Sequence, residues 1–544
     1  MGKRRLLVVL AAVCSLAWVT AWADGVPRAA SGLFQVAITP SNGSAPSSGR
    51  LLLFAAPVAT ARAMSRDGKI DAVRESPLDP DAVHIAAMEV AALKAGQPIR
   101  FDADRLAFPG PFSSLPAGDY VLQAVLDVNH DYAYANRGPG DWVSEVVELK
   151  WPTSAPPVLH LTRELPAYPD PWQVSDSVTD TALRANVAAA HKASRAIDFI
   201  SPALSDFMGR PVHMRGWVVL PPGYETHVNS RYPVVYFTHG FGGSLRSLVR
   251  RAVAVHADMA SGAMPPMIWV LLDESGPTGT HEFADSVNNG PWGQALTTEL
   301  IPYLEAHYRM DAKPSGRFLQ GHSSGGWATL WLQVRYPKVF GGTWSTAPDP
   351  SDFHDFTGVD IYAPDANVYR RADGSVRPLV RFDGKVVASF EQFARQEQVE
   401  GAYGGQMSSF DWVFSPRGPD GRPLPLFDRS TGAVDPLVAA YWREHYDIAH
   451  RLANQWPTLK ADLDGKIHLI VGTADTFYLD GAAHRLKAVL DQLGAKAEVR
   501  FIPDRSHFDL YQIGDDRQGL LKQIAWQMYH LARPTAALPR AVGQ

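Results

Sequence analysis

The stretch Gly321-His322-Ser323-Ser324-Gly325 sets a serine between two glycines. The spacing G-x-S-x-G fits only when centred on Ser323, because centring it on Ser324 requires a glycine where His322 stands. "RFLQ" ahead of Gly321 reads as a strand, and "WATLWLQVRY" behind Gly326 opens a helix. A serine at a strand-to-helix turn is held strained and exposed, and the flanking glycines let strand and helix approach without a Cβ clash. The plain alternative is a glycine-rich turn with incidental serines. The rest of the chain decides between the two.

A serine hydroxyl is a poor nucleophile near neutral pH. It needs a histidine base, and the base needs an acid that fixes its tautomer and stabilises the imidazolium. "KIHLIVGTAD" ends a strand and reaches Asp475 at once, while Asp480 competes from deeper in the same loop. "AEVRFIPDRSHFDL" puts His507 a few residues past the last strand; His484 sits in a helical run, as surface histidines do. Asp504 and Asp509 flank His507 too closely in sequence to orient its ring readily.

A tetrahedral oxyanion needs two backbone N–H donors. Ser324, next after the nucleophile, is one. "VVYFTHGFGG" offers the other at Phe241, with Gly242 as the alternative, since its glycines let the backbone turn amides inward. His239 is placed to buttress that turn by hydrogen bonds. In "HEFADSVNNGPWG", Asn288, Asn289 and Trp292 are candidates to line the acyl or alcohol pocket; alternatively Pro291 and Trp292 simply pack a helix start.

These segments carry a family likeness. From about residue 197 to residue 507 the chain resembles the esterase D / feruloyl esterase / enterochelin esterase branch of the α/β-hydrolases. The resemblance rests on "HGFGG", "DSVNNGPWGQALTTELIPYLEAHYR", "GHSSGG", "GTAD" and "SHF". It implies serine ester hydrolysis with no metal and no cofactor. Some relatives are acyltransferases, and the fold also hosts peptidases.

Such residues must be positioned by a framework. Past residue 178, buried-strand runs such as "YPVVYFTHG" and "PPMIWVLLDES" alternate with helical ones. In "ALTTELIPYLEAHY", Leu296, Leu300, Ile301 and Leu304 share one helical face. This is α/β grammar, a mostly parallel sheet covered on both faces. Residues 348–456 break the rhythm and read as an ordered, aromatic cap over the site, in which "DPLVAAYWREHYDIAHRLA" forms one helix.

Residues 24–165 are different. "LFQVAITP", "RLLLFAAPV", "YVLQAVLDV" and "VSEVVELKW" predict an all-β, sandwich-like domain. Asp127-x-Asn129-x-Asp131 has the spacing of a calcium loop, but lacks its central glycine and closing glutamate, so these read as polar residues at a strand end. Residues 166–178 are a polar, proline-rich linker. The residues assigned to chemistry all begin at or after His239, so the β domain is expected to make modest contact with the site and to be dispensable for small esters.

The amino terminus reads as an address. Lys3, Arg4 and Arg5 precede an apolar run over residues 6–20, and Ala21-Trp22-Ala23 supplies a cleavage pattern. The run is shorter than the roughly 20 residues of a spanning helix. Residues 1–23 are therefore a signal peptide, the mature protein is periplasmic or extracellular, and no stable membrane anchor remains after cleavage. Cys14, the sole cysteine, leaves with it, so neither disulfides nor thiolate metal sites are available. Formal charge is −5, and becomes −8 without the three leader cations; with no basic stripe, nucleic acid is excluded as a partner.

The leading reading is a secreted carboxylic-ester hydrolase acting on a small-molecule or carbohydrate-linked ester. An acyltransferase or a serine peptidase would use the same serine. A noncatalytic carbohydrate- or peptide-binding protein on a hydrolase fold is the alternative from a different class.

Overall fold

A computed structural model describes residues 32–39, 47–65, 67–76 and 79–536. The signal-peptide reading, Cys14 included, falls outside these residues.

The amino-terminal domain has nine strands: β1 (Leu33–Ile38), β2 (Ser47–Pro57), β3 (His84–Leu93), β4 (Ile99–Asp102), β5 (Ala107–Phe108), β6 (Gly118–Asp127), β7 (Trp142–Ser144), β8 (Val147–Trp151) and β9 (Val158–Glu164). They form one sheet in the order β4-β1-β9-β7-β6-β2-β3-β5, with β8 also paired to β6. Pairing is antiparallel except between β1 and β9. "VSEVVELKW" is not one strand. It breaks into β7 and β8, which pair in succession along β6.

Leu51, Leu53, Leu122 and Leu126 share one buried cluster with Val36 and Leu159, which joins β2 and β6 to β1 and β9. The intervening residues Leu52, Phe54, Val121 and Val125 are buried too. They pack with Tyr132 and with Val399 of the distant insertion. Burial on both faces is why β2 and β6 are apolar without alternation. Arg50 joins the two parts further, its Nε donating to the Val399 carbonyl at 2.9 Å.

Residues 165–180 contain no helix or strand. They are nevertheless docked: Trp172 is buried, stacked on His191 at 4.8 Å and edge-on to Trp217 at 5.2 Å.

The second sheet has eight strands: β10 (Ser194–Ile200), β11 (His213–Val219), β12 (Val234–Thr238), β13 (Ile268–Leu272), β14 (Arg317–His322), β15 (Gly342–Thr346), β16 (Ile467–Gly472) and β17 (Ala497–Ile502). Their order is β10-β11-β13-β12-β14-β15-β16-β17. All pairs from β13 onward are parallel, and β11 is antiparallel to both neighbours. This is the α/β-hydrolase arrangement. Leu296, Leu300, Ile301 and Leu304 lie buried against one face of it, in a helix that relaxes into a π turn at Leu296–Leu300 just ahead of Pro302. A proline cannot donate to the preceding turn, and the wider turn accommodates it.

Between β15 and β16 the chain leaves the sheet. This insertion carries a hairpin (Pro378–Phe382 with Lys385–Ser389) and the helices Phe390–Glu400, Gln406–Phe414 and Pro436–Tyr446, followed by Ile448–Leu463. Phe353, Phe356 and Phe414 surround Trp442 at 5.1 to 5.7 Å. The stretch expected as one helix is two, broken at Asp447. Its carboxylate accepts from His450 N at 2.9 Å, capping the second helix, and from Phe353 N at 3.0 Å.

Candidate active site

Ser323 stands between β14 and the helix Ser324–Arg335, with φ +60° and ψ −128°. A non-glycine residue there stores roughly 1–3 kcal/mol of backbone strain, sustained by its surroundings. Ser323 N donates to the Thr346 carbonyl at 3.1 Å, and Ser323 O accepts from Trp327 N at 3.0 Å. A Cβ on Gly325 would meet the Thr238 carbonyl at 2.6 Å, and one on Gly240 would meet Ser323 Cβ at 2.9 Å. The ends of β12 and β14 can therefore touch only because both residues are glycine.

Asp475 follows β16 and His507 follows β17, at the same carboxyl edge as Ser323. His507 Nδ1 lies 2.8 Å from Asp475 Oδ2, and both residues are buried. Burial pushes the Asp475 carboxyl up, but the charge and hydrogen bond of His507, with the amides of Phe477 and Leu479, outweigh it and hold the group below its ordinary value. Asp480 is engaged elsewhere, paired with Arg381 at 2.9 Å, and His484 stacks on Phe501 at 3.8 Å. Asp504 lies exposed, and Asp509 pairs with Arg505 at 3.1 Å.

Phe241 and Gly242 lie on a tight turn closed by Gly243 N to the Gly240 carbonyl at 3.0 Å, with φ +75° at Gly242. Among the described residues, no backbone acceptor takes the N–H of Phe241 or Ser324. His239 braces this turn, with Nδ1 2.8 Å from Gly240 O and Nε2 2.9 Å from Asp273 Oδ1.

Ser323, His507, Phe241 and Gly242 line one cavity of about 640 Å³. Its walls come from three parts of the chain. The insertion supplies Phe393, Phe410 and Glu397, and the amino-terminal domain supplies Glu75, Tyr134 and Asn136. The β domain therefore walls the site, contrary to the modest contact expected. Tyr134 reaches it because Asp127, at the end of β6, accepts from the amides of Asn129, Asp131 and Tyr132 at 3.1 to 3.3 Å and folds the next turn inward. The calcium-like spacing thus serves as a backbone cap.

Asn288, Asn289 and Trp292 are a correction. None lines the cavity. Asn288 Nδ2 donates to Ser415 O at 2.8 Å, Asn289 Oδ1 accepts from Thr278 at 3.1 Å, and Trp292 stacks on His281 at 3.6 Å. They are occupied in fastening their loop to the insertion and to the helix start.

Two contributors had gone unnoticed. Asp349 accepts from Ser324 Oγ at 2.6 Å, within 3.4 Å of Gln406 Nε2. Burial pushes its carboxyl up to about 6, against the Ser324 hydrogen bond. Its place just past β15 was the available signal, since ligand and catalytic groups gather beyond the carboxyl ends of such strands. His322 packs on His507 at 4.4 Å, and burial, with the charge of His507, pushes it down to about 3.

Residues 205–508 match the putative esterase family, a span that contains Ser323, Asp475 and His507. The chain belongs to this family. The chain is 30% identical over 148 residues to an esterase of Mycobacterium tuberculosis, which covers 26% of this chain and 31% of that protein. It is 31% identical over 132 residues to an endo-1,4-beta-xylanase/feruloyl esterase of Xylanibacter ruminicola, covering 23% of this chain and 18% of the other. The chain thus spans at most about a third of the length of these curated relatives. Among solved structures, a ferulic acid esterase aligns at 14% identity and a TM-score of 0.38, over 62% of this chain and 97% of the other. An S-formylglutathione hydrolase from Agrobacterium tumefaciens aligns at 14% and 0.36, over 62% and 94%.

Proposed function

We propose that the esterase is an exported serine carboxylic-ester hydrolase that works through an acyl-enzyme. The observation that carries this reading is the 2.8 Å pair of His507 Nδ1 with Asp475 Oδ2 on the cavity that the strained Ser323 also lines. With Nδ1–H committed to Asp475, His507 Nε2 is the nitrogen left to take a proton. Ser323 Oγ attacks the ester carbonyl as Nε2 accepts its hydrogen. The N–H groups of Phe241 and Ser324 receive the oxyanion. Collapse breaks the C–O bond to the alcohol, which leaves with the proton returned by Nε2. Water then repeats the sequence on the acyl-Ser323 ester and frees the acid.

The aromatic wall of Phe393, Phe410 and Phe477 supports a phenolic or sugar-linked ester as substrate. The feruloyl ester in the name of the Xylanibacter relative agrees with that class. Export rests on the basic, apolar and small-residue pattern of residues 3–23, and amino-terminal sequencing of protein recovered outside the cytoplasm should begin at Asp24.

The direct test is a fluorophosphonate probe followed by peptide mapping. Label on Ser323 in the native chain, and none in Ser323→Ala, is the expected result; label on Ser324 would overturn the register. Product analysis with an added alcohol acceptor separates hydrolysis from acyl transfer.

A further inference from the structure

A second cavity of about 310 Å³ adjoins the first. Gly240, Ser247, Arg250 and His322 line both, and Gly240 is the residue whose missing Cβ faces Ser323. A substrate held at Ser323 can therefore extend one arm into each. The smaller cavity adds Phe237, Arg251 and Gln518 to these shared walls.

Its chemistry is cationic. The Arg251 guanidinium lies over the Phe237 ring at 5.1 Å and the Tyr511 ring at 5.7 Å, and its Nη1 donates to Gln518 Oε1. Among the described residues it forms no ion pair. Asp258, whose charge acts on Arg251, is bound to Lys522 at 3.2 Å. By comparison Arg317, Arg429 and Arg533 each hold a carboxylate at 2.6 to 2.7 Å. Arg250 is exposed, and its side chain makes neither a hydrogen bond nor an ion pair among the described residues. Burial, the main influence, lowers the hold of Arg251 on its proton, against the opposing influence of Tyr511 and Asp258. His322, the polar ring between the two cavities, is neutral and offsets nothing.

The larger cavity is also lined by Glu75, Glu397 and Glu400; burial pushes Glu397 up to about 7 and Glu400 well above its ordinary value. An anionic substituent is drawn to the two arginines.

We propose that Arg250 and Arg251 form an anion subsite of the ester-binding cleft, which takes a carboxylate, phosphate or sulfate carried by the substrate. This rests on the serine-esterase reading of Ser323. A planar guanidinium presents paired donors to such a group, and Gln518 and the two rings fix the plane of Arg251. The anion supplies the missing counter-charge, and its distance from Ser323 sets which esters fit.

The test uses two matched pairs of esters and the full chain. 4-Acetoxybenzoate and 4-acetoxybenzamide place the charge on the alcohol side; mono-4-nitrophenyl glutarate and 4-nitrophenyl pentanoate place it on the acyl side. In one pair, kcat/KM for the anion should exceed that of its neutral partner by at least about tenfold at low salt, as hydrogen bonds to charged groups generally support. Added KCl should shrink the ratio. In Arg250→Gln and in Arg251→Gln it should fall toward one. Calorimetry on Ser323→Ala with the same pairs reads binding without turnover. Retained anion preference there, with no hydrolysis of any ester by the native protein, would count against the esterase reading and for the subsite. Equal rates within both pairs, or a preference that survives Arg250→Gln, would overturn the subsite. Should Arg251→Gln fail to fold, Arg250→Gln at its exposed position still decides.

Discussion

The hydroxyl of Tyr134 donates to the Gly243 carbonyl at 2.7 Å, and its ring meets Phe241 edge-on at 5.0 Å. A residue of the amino-terminal domain thereby holds the turn that carries the proposed oxyanion amide of Phe241. Loss of one neutral hydrogen bond is worth about 0.5–1.5 kcal/mol, so Tyr134→Phe should lower kcat on 4-nitrophenyl butyrate by no more than about tenfold with KM little changed. Tyr134→Ala, which also removes the ring against Phe241, should cost more. A folded protein lacking residues before 165 should lose more than about a hundredfold, near 2.7 kcal/mol of transition-state stabilisation. Steady-state kinetics on the three proteins measures each effect; full activity in the truncated chain would mean that the β domain wall is idle.

Ser323→Ala and Ser324→Ala separate nucleophile from neighbour. The first should lose several orders of magnitude in kcat. The second keeps its backbone amide and loses only the side-chain bond to Asp349, so activity should stay within about tenfold of native. Dialysis against EDTA should change neither the native rate nor that of Ser324→Ala.

Asp475→Asn preserves shape and reverses the hydrogen bonding at His507 Nδ1. It should reduce kcat by roughly three to four orders of magnitude, the usual consequence of the wrong imidazole tautomer. Asp480→Asn, whose carboxylate faces Arg381 rather than His507, should retain most of the native kcat. The comparison is direct: if both variants are equally active, the acid has been misassigned.

Glu274 sits fully buried beside the active-site loops. Burial pushes its carboxyl up to about 8, and burial likewise pushes Glu397 up to about 7. Groups raised on folding bind more protons in the native state than in the unfolded one. Their stabilising contribution is complete below the ordinary carboxylate range and is lost as pH rises through the folded values. Tm should therefore fall from about pH 4.5 to about pH 8, and Glu274→Gln should flatten that decline. Differential scanning calorimetry across this range reads the slope; an unchanged slope in Glu274→Gln would assign the effect elsewhere.

The strained turn at Ser323 and its framework were legible because they depend on local rules. A strained strand-to-helix turn needs glycines at fixed offsets from Ser323, and buried parallel strands need unbroken apolar runs, so both leave marks within ten residues. Asp475 and His507 were legible as loop residues just beyond strand ends, although their meeting across 32 residues belongs to the sheet order. What only the tertiary structure decided lies at longer range. Tyr134 reaches Gly243 across 109 positions, and Arg50 reaches Val399 across 349. Asn288 Nδ2 is bound to Ser415 and Asn289 Oδ1 to Thr278, which no spacing in "NNGPWG" announces. Cavity walls are set by which distant surfaces happen to face each other, and side-chain identity alone does not carry that information. Hence the candidate nucleophile could be read in the sequence, while the β domain's wall and the placement of Arg250 and Arg251 emerged only from the packing of separate segments.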